Sequence, residues 1–146
     1  MGIGELANAR RGTASVLVTG SVVLVALALA GCGADVERAE AGRVADAFTR
    51  AGIEDAPAAC DRLAPRTLEA LEEDGAACPQ ALAEAGLPQA GERREVTVAG
   101  HSAQVLYTED TLFLALFDDG WRVTAAGCRH DSTDPAVPYD CVVDGG

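Results

Sequence analysis

Residues 111–128 read TLFLALFDDGWRVTAAGC. An apolar run, Leu112 to Phe117, breaks at Asp118-Asp119-Gly120 and resumes at Trp121-Arg122-Val123 with alternating apolar and polar residues. An Asp-Gly step between two such runs is a strong hairpin signal, because glycine supplies the positive φ that a tight turn needs. The stretch therefore predicts two antiparallel strands, Thr111–Phe117 and Trp121–Ala126. The first carries Leu112, Leu114 and Leu116 on one face and Phe113 and Phe117 on the other. A strand apolar on both faces is expected in the centre of a sheet, covered on both sides.

The period-two pattern extends outward from this hairpin. Glu95–Ala99 and Ala103–Thr108 precede it, with turns at Gly100-His101 and Glu109-Asp110, and Tyr139–Val143 follows as a fifth strand. Upstream the period lengthens. Val36, Ala39, Val44, Ala47, Phe48 and Ala51 recur at three- and four-residue steps, a single helical stripe that Gly52 should stop. Ala56–Leu63 reads as a short second helix. Pro65 opens a third, with Leu68 and Leu71 inward and Gly75 at its end. Cys78-Pro79 opens a fourth, running through Ala85 to Gly86 and Pro88. Helices followed by a strand meander imply an α+β fold, with the N-terminal helices packed on a curved antiparallel sheet in one domain, residues 41–146.

Eleven arginines, no lysine and 23 acidic residues give a net charge of −12 over 146 residues. Phosphate recognition requires clustered positive charge, so nucleic acid is excluded as a partner class. The N-terminus differs in kind from the rest. Arg10 and Arg11 precede Thr13–Gly31, a stretch without a single charge that ends in small residues. A basic start, an apolar run and a small-residue break make a secretory signal peptide over residues 1–31. The run is at the short end of what a bilayer-spanning anchor needs, which is the competing reading.

Leu29-Ala30-Gly31-Cys32 resembles a bacterial lipobox. That resemblance implies a diacylglyceryl thioether on Cys32, cleavage before it, and residues 32–40 serving as a lipidated tether. Two acyl chains bind a membrane stably where one binds only marginally. The expected address is the extracytoplasmic face of the cell membrane. Of five cysteines, Cys32 is then the odd one, and Cys60, Cys78, Cys128 and Cys141 remain as an even set in an oxidising compartment. Four cysteines allow three pairings. The local one, Cys60 with Cys78 and Cys128 with Cys141, needs the least rearrangement of chain. A metal site is the rival use, with His130 and Asp131 near Cys128, but no C-x-x-C spacing supports it and no metal or cofactor is expected.

The order of elements resembles small actinobacterial lipoproteins with a nuclear-transport-factor-2-like cone fold. The resemblance rests on Ala59-Cys60, Leu63-Ala64-Pro65 and Leu68-Glu69, on Cys78 to Leu82 with Leu87-Pro88, and on Leu112-Phe113-Leu114, Trp121-Arg122-Val123, Ala126-Gly127-Cys128 and Pro138-Tyr139-Asp140-Cys141. It implies an architecture and no activity. Where such cones resemble polyketide cyclases and ketosteroid isomerases, a pocket holds acids and tyrosines. Asp110 or His101 would then be a base and Tyr107 a donor, although both candidate bases fall in expected turns, where a solvated turn residue is the simpler explanation. Asp118 and Asp119 read as turn formers. Trp121 suits packing or a pocket mouth, and Glu69 to Asp74 form a solvated acidic helix face or a docking surface for a basic partner. No G-x-S-x-G or S-x-x-K motif marks a nucleophile. The expectation is a lipid-anchored binding or accessory module of the envelope without catalytic activity, taking a small apolar ligand or an envelope protein. The alternatives are a small isomerase- or cyclase-like enzyme and a subunit of an envelope complex.

Overall fold

The computed structural model describes residues 16–134 and 136–145, with side chains from residue 33 onward. It contains α1 (Val16–Glu54), α2 (Ala56–Cys60), α3 (Pro65–Leu71), α4 (Cys78–Ala85), β1 (Arg93–Ala99), β2 (Ser102–Tyr107), β3 (Thr111–Phe117), β4 (Gly120–Cys128) and β5 (Val143–Asp144). The chain divides into two compact units, Met1–Ala34 and Asp35–Gly146. The expected signal peptide and Cys32 fall in the first unit, where residues 1–15 and the side chains of 16–32 lie outside the described residues. Among the described residues no helix is long and apolar enough to cross a membrane. Residues 35–40, part of the expected tether, are helical, and Glu37 accepts a hydrogen bond from the Trp121 indole at 3.0 Å.

The second unit is α+β. Its five strands form one antiparallel open sheet in the order β1-β2-β3-β4-β5. The hairpin read from residues 111–128 closes with Phe117 opposite Gly120, whose φ is +115°. β3 is the central strand, as its composition requires, but its two faces fare differently. Leu112 and Leu114 are fully buried beside Val105, Val123, Phe48 and Leu63, whereas Phe117 is 39 % exposed. Phe113 is half-buried beneath the edge-on ring of Tyr139, 5.0 Å away. The expected burial of β3 on both faces is met on one face and only in part on the other. The helices share one core with one face, and the C-terminal segment contributes the cover over the other.

The inner side of α1 also departs from the expected stripe. Val36 is 59 % exposed, while Ala41, Ala45 and Phe48 are sealed in the core, with Val44 and Ala51 packed at its margin. Alanine carries too little hydropathy to mark a face, yet it permits close approach. A methyl group added at Gly42 would collide with the Arg93 guanidinium, and it would lie 3.3 Å from Val96. Gly52 does not stop the helix, which runs to Glu54 before Asp55 caps α2 by accepting from the Ala58 amide at 3.2 Å.

β4 organises the rest of the unit. Its inner edge pairs with β3 through two register shifts that place extra residues near Thr124 and at Ala126–Gly127. Its outer edge is shared by two short pieces of chain. Ala64 N donates to Val123 O, and Val123 N to Arg62 O, both at 2.8 Å, a parallel bridge at Leu63. Farther along, β5 pairs Val143 with Ala126 and Asp144 with Ala125. The strand expected over Tyr139–Val143 therefore shrinks to two residues. The β4 bulge interrupts the ladder that Tyr139 to Cys141 would have joined, and only an isolated Arg129–Asp140 bridge remains there. Thr67, fully buried on α3, donates its hydroxyl to Thr124 O at 2.9 Å and ties α3 between the two pieces.

Each outer piece has its own disulfide. Cys60–Cys78 joins the end of α2 to the start of α4, and Cys128–Cys141 joins the end of β4 to the segment that delivers β5. Closing loops of 18 and 13 residues stabilises each by about 3 kcal/mol in the chain-entropy account. Replacing either pair by serine is expected to lower unfolding free energy by roughly that amount in denaturant titrations. Hydrogen exchange separates the two variants: loss of Cys128–Cys141 should speed exchange at Val143 and Gly145, and loss of Cys60–Cys78 should speed it at Ala64.

Candidate binding cleft

The β2–β3 connection brings two of the candidate residues onto one end of the sheet. Tyr107 N donates to Asp110 O at 2.8 Å, which closes the turn and turns the Asp110 side chain inward. Asp110 is 7 % exposed, so it is not the solvated turn residue that its sequence position suggested. Its Oδ1 accepts from the Cys128 amide at 3.0 Å. Burial pushes its carboxyl above the ordinary carboxylate range, against the opposing pull of the Gly127, Cys128 and Thr111 amides and of the Arg129 charge. Asp110 thus caps the β4 bulge, where the extra residue turns backbone N–H groups away from the ladder.

Gly127 makes that arrangement possible. Its φ is +68°, and a Cβ there would lie 2.8 Å from the Val142 side chain and 3.1 Å from Leu87 Cδ2. A bare backbone at this point lets the loop after α4 close against β4. Between that loop and α1 lies a cleft of about 260 Å³. Phe48, Ile53, Leu82, Leu87 and Pro88 supply apolar walls, Thr49 and Gln89 are polar, and Asp110 is the titratable side chain lining it.

Tyr107 sits beside this cleft, 8 % exposed. Its hydroxyl donates to Asp46 Oδ1 at 2.8 Å, and Asp46 Oδ2 meets Arg93 Nη1 at 3.1 Å. Burial, then the Asp46 carboxylate, raises the Tyr107 phenol above its usual range. This Tyr107–Asp46–Arg93 chain stitches β2, α1 and β1 together. Asp46 had no legible signal, because an acid inside an alanine-rich helix reads as an outward residue. His101 is exposed in the β1–β2 turn, at the far end of β2 from Tyr107 and Asp110. The structure brings Tyr107 and Asp110 to one end of the sheet and leaves His101 at the other.

The remaining candidates have local roles. Trp121 is buried and packs in the core. Asp119 forms an ion pair with Arg122, which holds its carboxyl below the usual range, and Arg122 also donates to Asp61 O at 3.0 Å. Within the acidic face, Glu72 accepts from the Cys78 amide at 3.0 Å and so satisfies the start of α4. His130, expected to be exposed and unpaired, is half-buried, donates through Nε2 to Val137 O at 2.8 Å and lies 4.9 Å from the Tyr139 ring. Among the described residues no group of three or more His, Cys, Asp or Glu is arranged to hold a metal ion. A second concavity, a wide groove of about 810 Å³ lined by Pro57, Leu63, Leu68, Phe117 and Arg122, lies beside the Cys60–Cys78 bridge and is open to solvent.

The neutral phenol is the form that the folded chain favours at Tyr107. Its stabilisation is complete below the ordinary phenol pKa and is lost as pH rises through the elevated value. Alkaline titration followed at the tyrosinate absorbance should therefore show a component above the usual phenol range. Tyr107→Phe should delete that component; its survival in the variant would reject the assignment. No protein family matches this chain, and no curated protein or solved structure is similar to it.

Proposed function

We propose that the chain is a lipid-anchored, extracytoplasmic binding module of the cell envelope, without catalytic activity, whose helices wrap a cone-like pocket over the sheet. The cleft between α1, α4 and the 86–89 loop carries this reading: apolar walls around one buried polar group are the usual make-up of a small-molecule site. The lipid anchor rests on the residues before Cys32. It is supported by the arithmetic of the cysteines, since the two disulfides use the other four of five. Disulfides of this kind persist in oxidising compartments, which agrees with export.

A second reading has one observation in its favour. A buried carboxylate with a raised pKa in an apolar cleft is the kind of group that abstracts a proton in isomerase-like chemistry. Binding is preferred because the hydroxyl of Tyr107 is engaged by Asp46 and His101 lies at the other end of β2, so Asp110 has no proton donor facing it from the candidates read in the sequence.

Expression in a bacterial host with labelled palmitate tests the anchor. The native chain should take up label and sediment with membranes, and Cys32→Ser should do neither. Uptake of label by the variant, or none by the native chain, would refute lipidation at Cys32. For the cleft, native mass spectrometry after incubation with envelope extract should show a stoichiometric small-molecule adduct. Gly52→Leu should remove that adduct, since a side chain at Gly52 enters the cleft with Leu87 as its nearest neighbour at 3.9 Å.

A further inference from the structure

We propose that the cleft takes a small apolar amine, with its cationic nitrogen held by Asp110 and its hydrocarbon body held between Phe48, Leu82 and Leu87. The inference rests on the cleft being a binding site and adds the chemical class of its occupant.

Three observations carry it. The first is a buried carboxyl outside every ion pair of the described residues. Asp110 is 7 % exposed, and the ion pairs of the described residues join other partners: Arg38 to Asp35, Arg93 to Asp46, Arg94 to Glu92 and Arg122 to Asp119. Buried carboxylates are ordinarily matched by a cation or held by several donors. Here backbone amides at the β4 bulge serve as donors, and the nearby cation Arg129 is exposed. A bound ammonium group would add an ion pair to these amide contacts in a setting where water screens it poorly.

The second observation is shape. A cavity of roughly 150 Å³ lined by aliphatic and aromatic side chains holds a benzene molecule. At about 260 Å³ this cleft has room for a six-membered ring with a short substituent. The third is the placing of polar groups. Apart from Asp110, only Thr49 and Gln89 contribute polar side chains, and neither carries charge. Nothing lining the cleft would attract a carboxylate or phosphate, and Asp110 repels both. A ligand that satisfies this site is apolar over most of its surface and cationic at one end.

Benzylamine, benzyl alcohol and benzoate share a ring and differ at the group that would meet Asp110. Titrating the full chain with each, read by saturation-transfer NMR and calorimetry, tests the proposal on the native protein without a variant. Benzylamine is expected to bind at least tenfold more tightly than benzyl alcohol, and benzoate not detectably. Asp110→Asn keeps an acceptor for the Cys128 amide and should abolish the preference for the amine. Gly52→Leu should block both neutral and cationic probes. Equal binding of amine and alcohol, unchanged by Asp110→Asn, would overturn the amine assignment while leaving the cleft as a neutral apolar site. Failure of every probe, with Gly52→Leu indistinguishable from the native chain, would overturn the cleft itself.

Discussion

The outer edge of β4 is the constraint on which the second unit depends. A strand edge left open presents unpaired N–H and C=O groups, and such groups recruit other chains unless something finishes the ladder. Here the fifth strand is only two residues long, so two fragments share the task. Residues 62–64 bond to Val123 in parallel, and Val143–Asp144 bond to Ala125 and Ala126 in antiparallel. Neither fragment is long enough to hold its place by pairing alone. Each is made local by a disulfide, Cys60–Cys78 behind the first and Cys128–Cys141 behind the second, and the Thr67 hydroxyl fills the acceptor between them at Thr124. The four cysteines thus serve sheet completion as well as chain entropy.

The cleft follows from how β4 accommodates these fragments. Two extra residues in β4 shift its register against β3, and the second leaves backbone amides at Gly127 and Cys128 to be satisfied from elsewhere. Asp110 is the group that does so, at the cost of an acid placed under the end of α1. On the helix side, Ala41, Gly42 and Ala45 bring α1 down onto the sheet, while Phe48 is larger and the last turn carries Gly52, which fills no space. Close contact along most of the helix and a missing side chain at its end leave a gap above Asp110. The same bulge that requires a buried carboxylate therefore stands next to the space in which that carboxylate meets a ligand.

What was legible in the sequence follows the strength of each physical signal. The hairpin at 111–128 is plain because period two and an Asp-Gly turn act within a few residues, and β3 spans Thr111 to Phe117 as the alternation predicts. The disulfide pairing was legible because chain proximity narrows three options. The α1 face was misplaced toward Val36, since alanine and glycine mark a buried face by what they lack. The fifth strand was overextended because bulges in β4 decide where Tyr139 to Val143 can pair, and a bulge belongs to two strands at once. Asp110 was read as a solvated turn residue for the same reason: its partners, the amides of Gly127 and Cys128, are 17 and 18 positions away and give no local sign.

The course of α1 over the sheet also decides where the cleft lies. Glu37 is fastened to Trp121, beside the β3–β4 turn. From Glu37, α1 runs along the sheet to Gly52, roughly 22 Å at the rise of an α-helix. The cleft opens there, at the opposite end, beside the β2–β3 turn. Close packing of α1 along the sheet therefore ends one turn before its C-terminus, and the cleft occupies the space that Gly52 leaves. Among the described residues Asp110 is the buried acid, and it stands at that end of the helix because the β4 bulge needs an acceptor there.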